Sequence, residues 1–124
     1  MRSVPLKYNY EFSRVYKRGN FCIGRYLTVH CFNRPAGLRH NLTPVPHDLI
    51  RVGFCANKKQ LGAVGRNRAR RLMRESYRLI EDGIPVGNDL IFTLRNTDKV
   101  PTFDEISKDM ISDLIRLGLL AQEV

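Results

Sequence analysis

The chain has no tryptophan, and only three of its 124 residues are cysteine. Cys22, Cys31 and Cys55 are odd in number and each sits in an apolar stretch, the pattern of reduced, buried thiols rather than of a disulfide framework. No apolar run approaches the roughly 18 residues of a membrane span, and the N-terminal MRSVPLKYNYEF lacks the apolar centre of a signal peptide. These absences place the chain in the cytoplasm. Internal repeats, low-complexity tracts and linkers are missing too, so residues 1–124 read as one domain. With 43% of residues hydrophobic there is material for a core, which excludes wholesale disorder and a collagen-like repeat.

Negative charge is also scarce over most of the length. Of the 12 acidic residues only Glu11, Asp48 and Glu75 fall before position 79, against 21 Lys and Arg in the whole chain and a net charge of +9. Residues 1–57 carry +7, residues 58–78 another +7 within 21 positions, and residues 79–124 carry −5. A field of that shape attracts polyanions. Nucleic acid is the leading partner class and an anionic membrane surface the second, because arginine binds phosphate bidentately and releases counterions as it does so.

Local patterns give the order αβββαβα. Tyr10 to Arg18 reads as a helix, with Asn9 as its cap, Phe12, Val15 and Tyr16 at helical spacing and Gly19 at its end. Phe21 to Ile23 is a short strand, and Tyr26 to Phe32 alternates, with Leu27, Val29 and Cys31 toward a core. Residues 34–48, with three prolines and no periodicity, read as a long exposed loop joining two antiparallel strands. The strand Ile50 to Asn57 puts Ile50, Val52, Phe54 and Ala56 on one face and Arg51, Gly53, Cys55 and Asn57 on the other. Beside Thr28 and His30 that small, polar face makes a shallow trough for an extended ligand, or else a plain solvent-exposed surface. Asp89 to Leu94 is a further strand. A last helix spans Thr102 to Leu120, opened by Thr102 and Glu105 at capping-box spacing, with Gly118 able to end it.

The segment Ala63 to Ile80, AVGRNRARRLMRESYRLI, is the most informative. At about 100° per residue, Arg66, Asn67, Arg68, Arg70, Arg71, Arg74 and Arg78 fill one half of a helix. Ala69, Leu72, Met73, Ser76, Tyr77, Leu79 and Ile80 fill the other. Solvated helix faces usually mix signs, whereas here Arg66, Arg70, Arg74 and Arg78 follow one another at i, i+4, each pair costing roughly 0.2–0.5 kcal/mol. A polyanion converts that repulsion into attraction. A membrane-surface helix is disfavoured because Leu72, Met73 and Leu79 are needed over the sheet and no Trp is present for an interface.

At these residues the chain resembles the protein subunit of bacterial ribonuclease P. The resemblance rests on Arg66-Asn67-Arg68 followed by Arg70-Arg71 and Arg74, on Arg51-Val52-Gly53 leading to Lys58-Lys59, and on Leu6-Lys7, Phe12, Val15-Tyr16 and Gly19. Three departures stand out: Gln60-Leu61-Gly62 moves a glycine one position on, Ala69 replaces a branched aliphatic residue, and His30 stands where tyrosine is common. The resemblance implies an α+β sandwich, a ribosomal-protein-like RNA-binding fold with a four-stranded sheet and a left-handed βαβ crossover through the helix of residues 63–80. It further implies an endoribonuclease made with a large catalytic RNA, removing the 5′ leader of precursor tRNA. Lys58, Lys59, Arg66, Asn67, Arg68, Arg70, Arg71 and Arg74 would dock on the catalytic RNA. Phe12, Tyr16, Thr28, His30, Cys55 and Asn57 would hold the single-stranded leader, although helical spacing equally allows Phe12 to be a core plug.

No residue is assigned to catalysis, since the chemistry belongs to the RNA and His30, His40 and His47 are scattered over a strand and the Pro-rich loop. The cysteines lack metal-ligand spacing, so Mg²⁺ is expected to be held mainly by RNA phosphates. Partners are then the catalytic RNA and precursor tRNA, with neither membrane nor DNA. Three alternatives remain: a non-enzymatic RNA-binding or ribosome-assembly protein using the same arginine face; a DNA-binding protein, for which no helix-turn-helix is evident; and a protein nuclease, for which Glu75 and Asp89 are the acids nearest the basic segment.

Overall fold

The computed structural model describes residues 3–40, 43–58 and 61–122. Strands β1 (Ser3–Pro5), β2 (Asn20–Ile23), β3 (Leu27–Asn33), β6 (Ile50–Ala56) and β7 (Asn88–Leu94) form one mixed sheet in the order β1-β6-β7-β3-β2. The β1/β6 and β6/β7 pairs are parallel, and β7/β3 and β3/β2 are antiparallel. Helix α1 (Asn9–Arg18) covers one face, and α2 (Ala63–Ile80) and α3 (Phe103–Arg116) cover the other.

The sheet therefore has five strands, not four. The added strand, β1, is three residues long and ends in Pro5; without an N–H, proline survives only where the ladder does not require a donor, and three residues carry no readable alternation. A second correction concerns residues 34–48. They contain the two-residue strands β4 (Arg39–His40) and β5 (Thr43–Pro44), paired antiparallel, and the long strands they connect are not neighbours because β7 lies between β3 and β6.

The main core lies between the sheet and the α2/α3 layer. Leu27, Val29, Ile50, Leu90 and Phe92 meet Ala69, Leu72, Met73, Ile106, Met110 and Leu114, nearly all fully buried. The small Ala69 is accommodated there without exposure. A smaller cluster of Leu6, Val15 and Ile91 seats α1 on the opposite face. Leu79, expected on the apolar arc, is instead 74% exposed. It lies at the margin of that arc in the last turn of α2, where burial of Tyr77 and Ile84 already closes the core.

Helix boundaries follow their caps. Thr102 Oγ1 accepts from Glu105 N–H at 3.1 Å while Glu105 Oε1 accepts from Thr102 N–H at 3.0 Å, the reciprocal pair expected from the sequence. Gly118, with φ +75°, then stops α3 after Arg116, four residues before the expected end. Asn9 is not a cap but the first residue of α1; the reciprocal role falls to Glu11, whose Oε1 accepts from the backbone N–H of Tyr8 at 2.9 Å and of Lys7 at 2.8 Å.

Candidate nucleic-acid interface

Helix α2 presents its cations as the 100° spacing predicts. Asn67, Arg68, Arg71, Arg74 and Arg78 are exposed and Arg66 and Arg70 half-buried. Among the described residues, the carboxylate paired on this face is Glu75, 3.9 Å from Arg71 Nε with both side chains open to solvent, a pair worth little, and Glu81 lies near Arg74 and Arg78 at the C-terminal end. Two of the arginines have structural duties as well. Arg66 Nη1 donates to the Leu61 carbonyl at 2.8 Å, tightening the first turn, and Arg70 Nη2 donates to Asn67 Oδ1 at 2.5 Å. The displaced glycine, Gly62, is the N-cap of α2, in extended conformation, and its carbonyl accepts from Arg66 N–H at 3.0 Å. Lys58 is exposed just beyond β6. Lys59, also expected on this surface, lies outside the described residues.

The trough is a consequence of sheet register. On the α1 side, Gly53, Ile91, His30 and Phe21 line up across β6, β7, β3 and β2, and the next row is Cys55, Thr93, Thr28 and Ile23. Helix α1 sits over the first row at its β6 end, with Phe12 against Gly53, and Cys55 of the second row is half-buried beside it. Tyr16, 48% exposed, meets His30 edge-on at 4.8 Å between ring centroids, and Phe21, 60% exposed, stacks on the same imidazole at 5.6 Å. His30 is thus clamped between two aromatic rings. Burial holds its pKa below the usual histidine value, so the ring is neutral at pH 7, and its buried Nδ1 has no hydrogen-bond partner among the described residues. Burial likewise pushes the Cys55 thiol up, with Arg70 pulling the other way. Because α2 begins at Ala63, shortly after β6 ends at Ala56, the arginine helix starts near the trough at the C-terminal end of β6.

Of the residues expected to line the trough, Tyr16, Thr28, His30 and Cys55 come together. Asn57 lies past the end of β6, where a polar cleft of about 540 Å³ continues the trough between Arg25, Thr93, Arg95 and Asn96. Phe12 belongs with the α1 core. Its ring lies 2.8 Å from where a Cβ on Gly53 would be, and it packs on the Leu6, Val15 and Ile91 cluster. Sequence reasoning misses Thr93 and Phe21. Alternation along β7 from Asp89 and Ile91 puts Thr93 on the trough face, and the exposed ring of Phe21 opposite His30 follows from the β2/β3 pairing.

Beneath α1 the structure holds a buried ion network that the composition does not reveal. Asp89 receives Arg51 bidentately, at 2.8 and 2.7 Å, and Arg34 at 2.7 Å; Arg51 also pairs with Glu11. Arg34, at the start of the Pro-rich stretch, is 2% exposed and further donates to the carbonyls of Pro46, Leu49 and Asn88 at 2.7 to 3.0 Å. Asp89 is therefore committed to two guanidinium groups, and Glu75 is a solvent-facing helix residue. Among the described residues no three His, Cys, Asp or Glu side chains gather as metal ligands, and no helix is long and apolar enough to cross a membrane.

A family model described as Ribonuclease P matches residues 1–118. The chain belongs to the ribonuclease P protein family. As such it is the protein component of the ribonuclease P endoribonuclease and acts in tRNA 5′ processing. It is 34% identical over 116 residues to the ribonuclease P protein component of Clostridioides difficile (strain 630), covering 93% of this chain and 91% of that one. It is 36% identical over 118 residues to that of Clostridium novyi (strain NT), covering 95% and 96%. Among solved structures, the RNase P protein of Staphylococcus aureus superposes with a TM-score of 0.75 at 25% identity, covering 94% of this chain and 97% of that one. The RNase P protein of Thermotoga maritima shares the fold, with a TM-score of 0.68 at 20% identity over 88% and 93% of the two chains.

Proposed function

We propose that this ribonuclease P protein acts through two adjoining RNA surfaces. The exposed face of α2, with Arg66, Asn67, Arg68, Arg70, Arg71 and Arg74, extended by Lys58 and Lys59, docks on the catalytic RNA. The trough of Tyr16, Thr28, His30 and Cys55, walled by Phe21 and continued by Asn57 and Thr93, takes the single-stranded 5′ leader of precursor tRNA. Phe12 supports that trough from within. The observation that supports this reading is the adjacency of the two surfaces, since α2 begins at Ala63, shortly after β6 ends at Ala56 beside the trough. A precursor tRNA bound by the catalytic RNA docked on α2 then has its leader beside the aromatic groove.

The roles divide by chemistry. Guanidinium groups on α2 neutralise phosphates and read shape rather than sequence, so docking falls steeply with salt. Aromatic rings in the trough stack on bases at roughly 1–3 kcal/mol each. His30, held between Tyr16 and Phe21, contributes the middle ring of that series. Mg²⁺ in the holoenzyme is held mainly by RNA phosphates, and the protein, one RNA-binding domain with a left-handed β6–α2–β7 crossover, works in the cytoplasm.

Cleavage of a 5′-extended precursor tRNA at low Mg²⁺ tests this, with protein alone, catalytic RNA alone and both together. Efficient cleavage at the mature 5′ end only in the mixture is the expected result. A protein that adds nothing to a competent RNA belongs to another RNA assembly, and cleavage by protein alone overturns the division of labour.

A further inference from the structure

On the opposite side of the sheet from the trough, α2 leaves the β1 edge uncovered. The result is a pocket of about 600 Å³ between β1, β6 and α2, lined by Pro5, Val52, Phe54 and Tyr77, with Arg74 and Arg78 at its rim. This is within the size range of ligand sites, roughly 300–1,000 Å³. One face of the Phe54 ring stacks on Phe92 at 5.6 Å and 13°, and the Arg74 guanidinium lies 5.8 Å over Phe54. Tyr77 stands edge-on to Phe54 at 5.9 Å and is fixed by a 2.6 Å hydrogen bond between its hydroxyl and Ser3 Oγ. Phe54 is half-buried, so the pocket offers a flat, rigid aromatic wall with movable cations above it.

We infer that this pocket captures one unpaired nucleotide of the RNA docked on α2, its base against the half-buried Phe54 and its phosphate on Arg74 and Arg78. The inference rests on the docking face proposed above and gives it a point of fixed register. Three features select a nucleotide. The walls are aromatic and aliphatic, as stacking on a base requires. The rim cations belong to the same cationic face of α2 that meets the RNA backbone, so a base turned out of that RNA reaches the pocket without a separate binding event. Arginine can also slide from the ring onto a stacked base, keeping its cation–π contact while it meets the phosphate. Glu81 lines the same pocket, and its carboxylate fixes the end that a phosphate avoids.

The test uses full-length protein with the catalytic RNA substituted with 4-thiouridine or 6-thioguanosine and cross-linked by long-wave ultraviolet light. Two variants accompany the wild type. Pro5→Trp plugs the pocket mouth from the exposed edge strand without altering Phe54, Tyr77 or any arginine. Arg70→Glu/Arg71→Glu breaks the docking face without touching the pocket lining. The expected result is a cross-link on Phe54 in the wild type that disappears in Pro5→Trp, with RNA affinity about tenfold weaker. Cross-links confined to the exposed arginine face, with unchanged affinity for Pro5→Trp, overturn the pocket while a loss of binding in Arg70→Glu/Arg71→Glu leaves the docking face standing. Unchanged binding in that double variant overturns the docking face and, with it, the route of a nucleotide into the pocket.

Discussion

Two populations of arginine share this small chain and do opposite work. Arg34 and Arg51 lie under α1, nearly without solvent contact, and converge on Asp89 and Glu11. Arg68, Arg71, Arg74 and Arg78 stand exposed on α2, where the nearby carboxylates, Glu75 and Glu81, are fewer than the cations. In the first set each charge is matched, because an unmatched ion out of water costs several kcal/mol. In the second the mismatch is tolerated because water screens it, and it becomes useful only when a polyanion arrives. Residue type therefore says little here. The carboxylates placed around each guanidinium decide whether it fastens loop 34–48 and α1 to the sheet or stays available to an anionic partner.

Breaking the buried set gives the largest effect. Asp89→Ala strands two guanidinium groups in the interior, and the folded state should lose about 3–5 kcal/mol, read from urea denaturation. A loss below about 1 kcal/mol would show that the network does not hold the fold. The exposed set should respond in the reverse manner. Arg70→Glu/Arg74→Glu should melt at the wild-type temperature yet bind the catalytic RNA about a hundredfold more weakly, two charge-assisted hydrogen bonds at roughly 1.5 kcal/mol each. The slope of log affinity against log salt should flatten at the same time by about 0.7–0.9 for each phosphate that the variant no longer neutralises. Normal affinity in a correctly folded double variant assigns the docking face elsewhere.

The two sets also differ in how far the sequence reveals them. The boundaries of α2 follow from 18 residues of helical period, Ala63 to Ile80, and its cationic half from spacing alone. The resemblance to the ribonuclease P family is legible for the same reason, since its residues lie on continuous elements. Arg34 is not legible. It sits among prolines without periodicity, and its partners Asp89, Pro46 and Leu49 are brought to it by tertiary structure. Strand β1 escapes notice because a three-residue edge is too short to alternate. Alternation places Thr28, His30 and Cys55 on one face, but which row α1 covers depends on how Phe12 seats over Gly53. That is a question of packing between distant segments.

Carboxylates show the same division, and here pH separates the kinds. Asp109 accepts from the backbone N–H groups of Arg25, Tyr26 and Leu27 at 2.9 to 3.0 Å, clamping the β2–β3 turn onto α3. Asp113, fully buried beside it and facing Cys22, Gly24 and the more distant Arg116, has a pKa raised to about 7 by burial and by the neighbouring Asp109 charge. Its folded pKa lies above its unfolded one, so between the two the folded state holds the extra proton and stability falls as pH rises. From pH 5 to pH 7 the loss should be about 2 kcal/mol. Asp113→Asn, which mimics the neutral acid, should flatten that slope in urea titrations at several pH values. An unchanged slope would locate the proton elsewhere.

The smallest effect sharpens the contrast between charge and stacking. His30 is neutral at pH 7 and lies between Tyr16 and Phe21, so His30→Ala removes the middle of an aromatic series without removing a charge. Leader affinity, measured as the difference in binding between precursor and mature tRNA by the assembled particle, should fall by about 1 kcal/mol, roughly fivefold. Docking of the protein on the catalytic RNA should not change. Because no counterion is released by stacking, the fivefold loss should be the same at low and moderate salt, whereas the loss in Arg70→Glu/Arg74→Glu should shrink as salt rises. If the His30→Ala penalty instead follows salt as the arginine variant does, the trough works as an extension of the phosphate-binding face and its aromatic rings are only its walls.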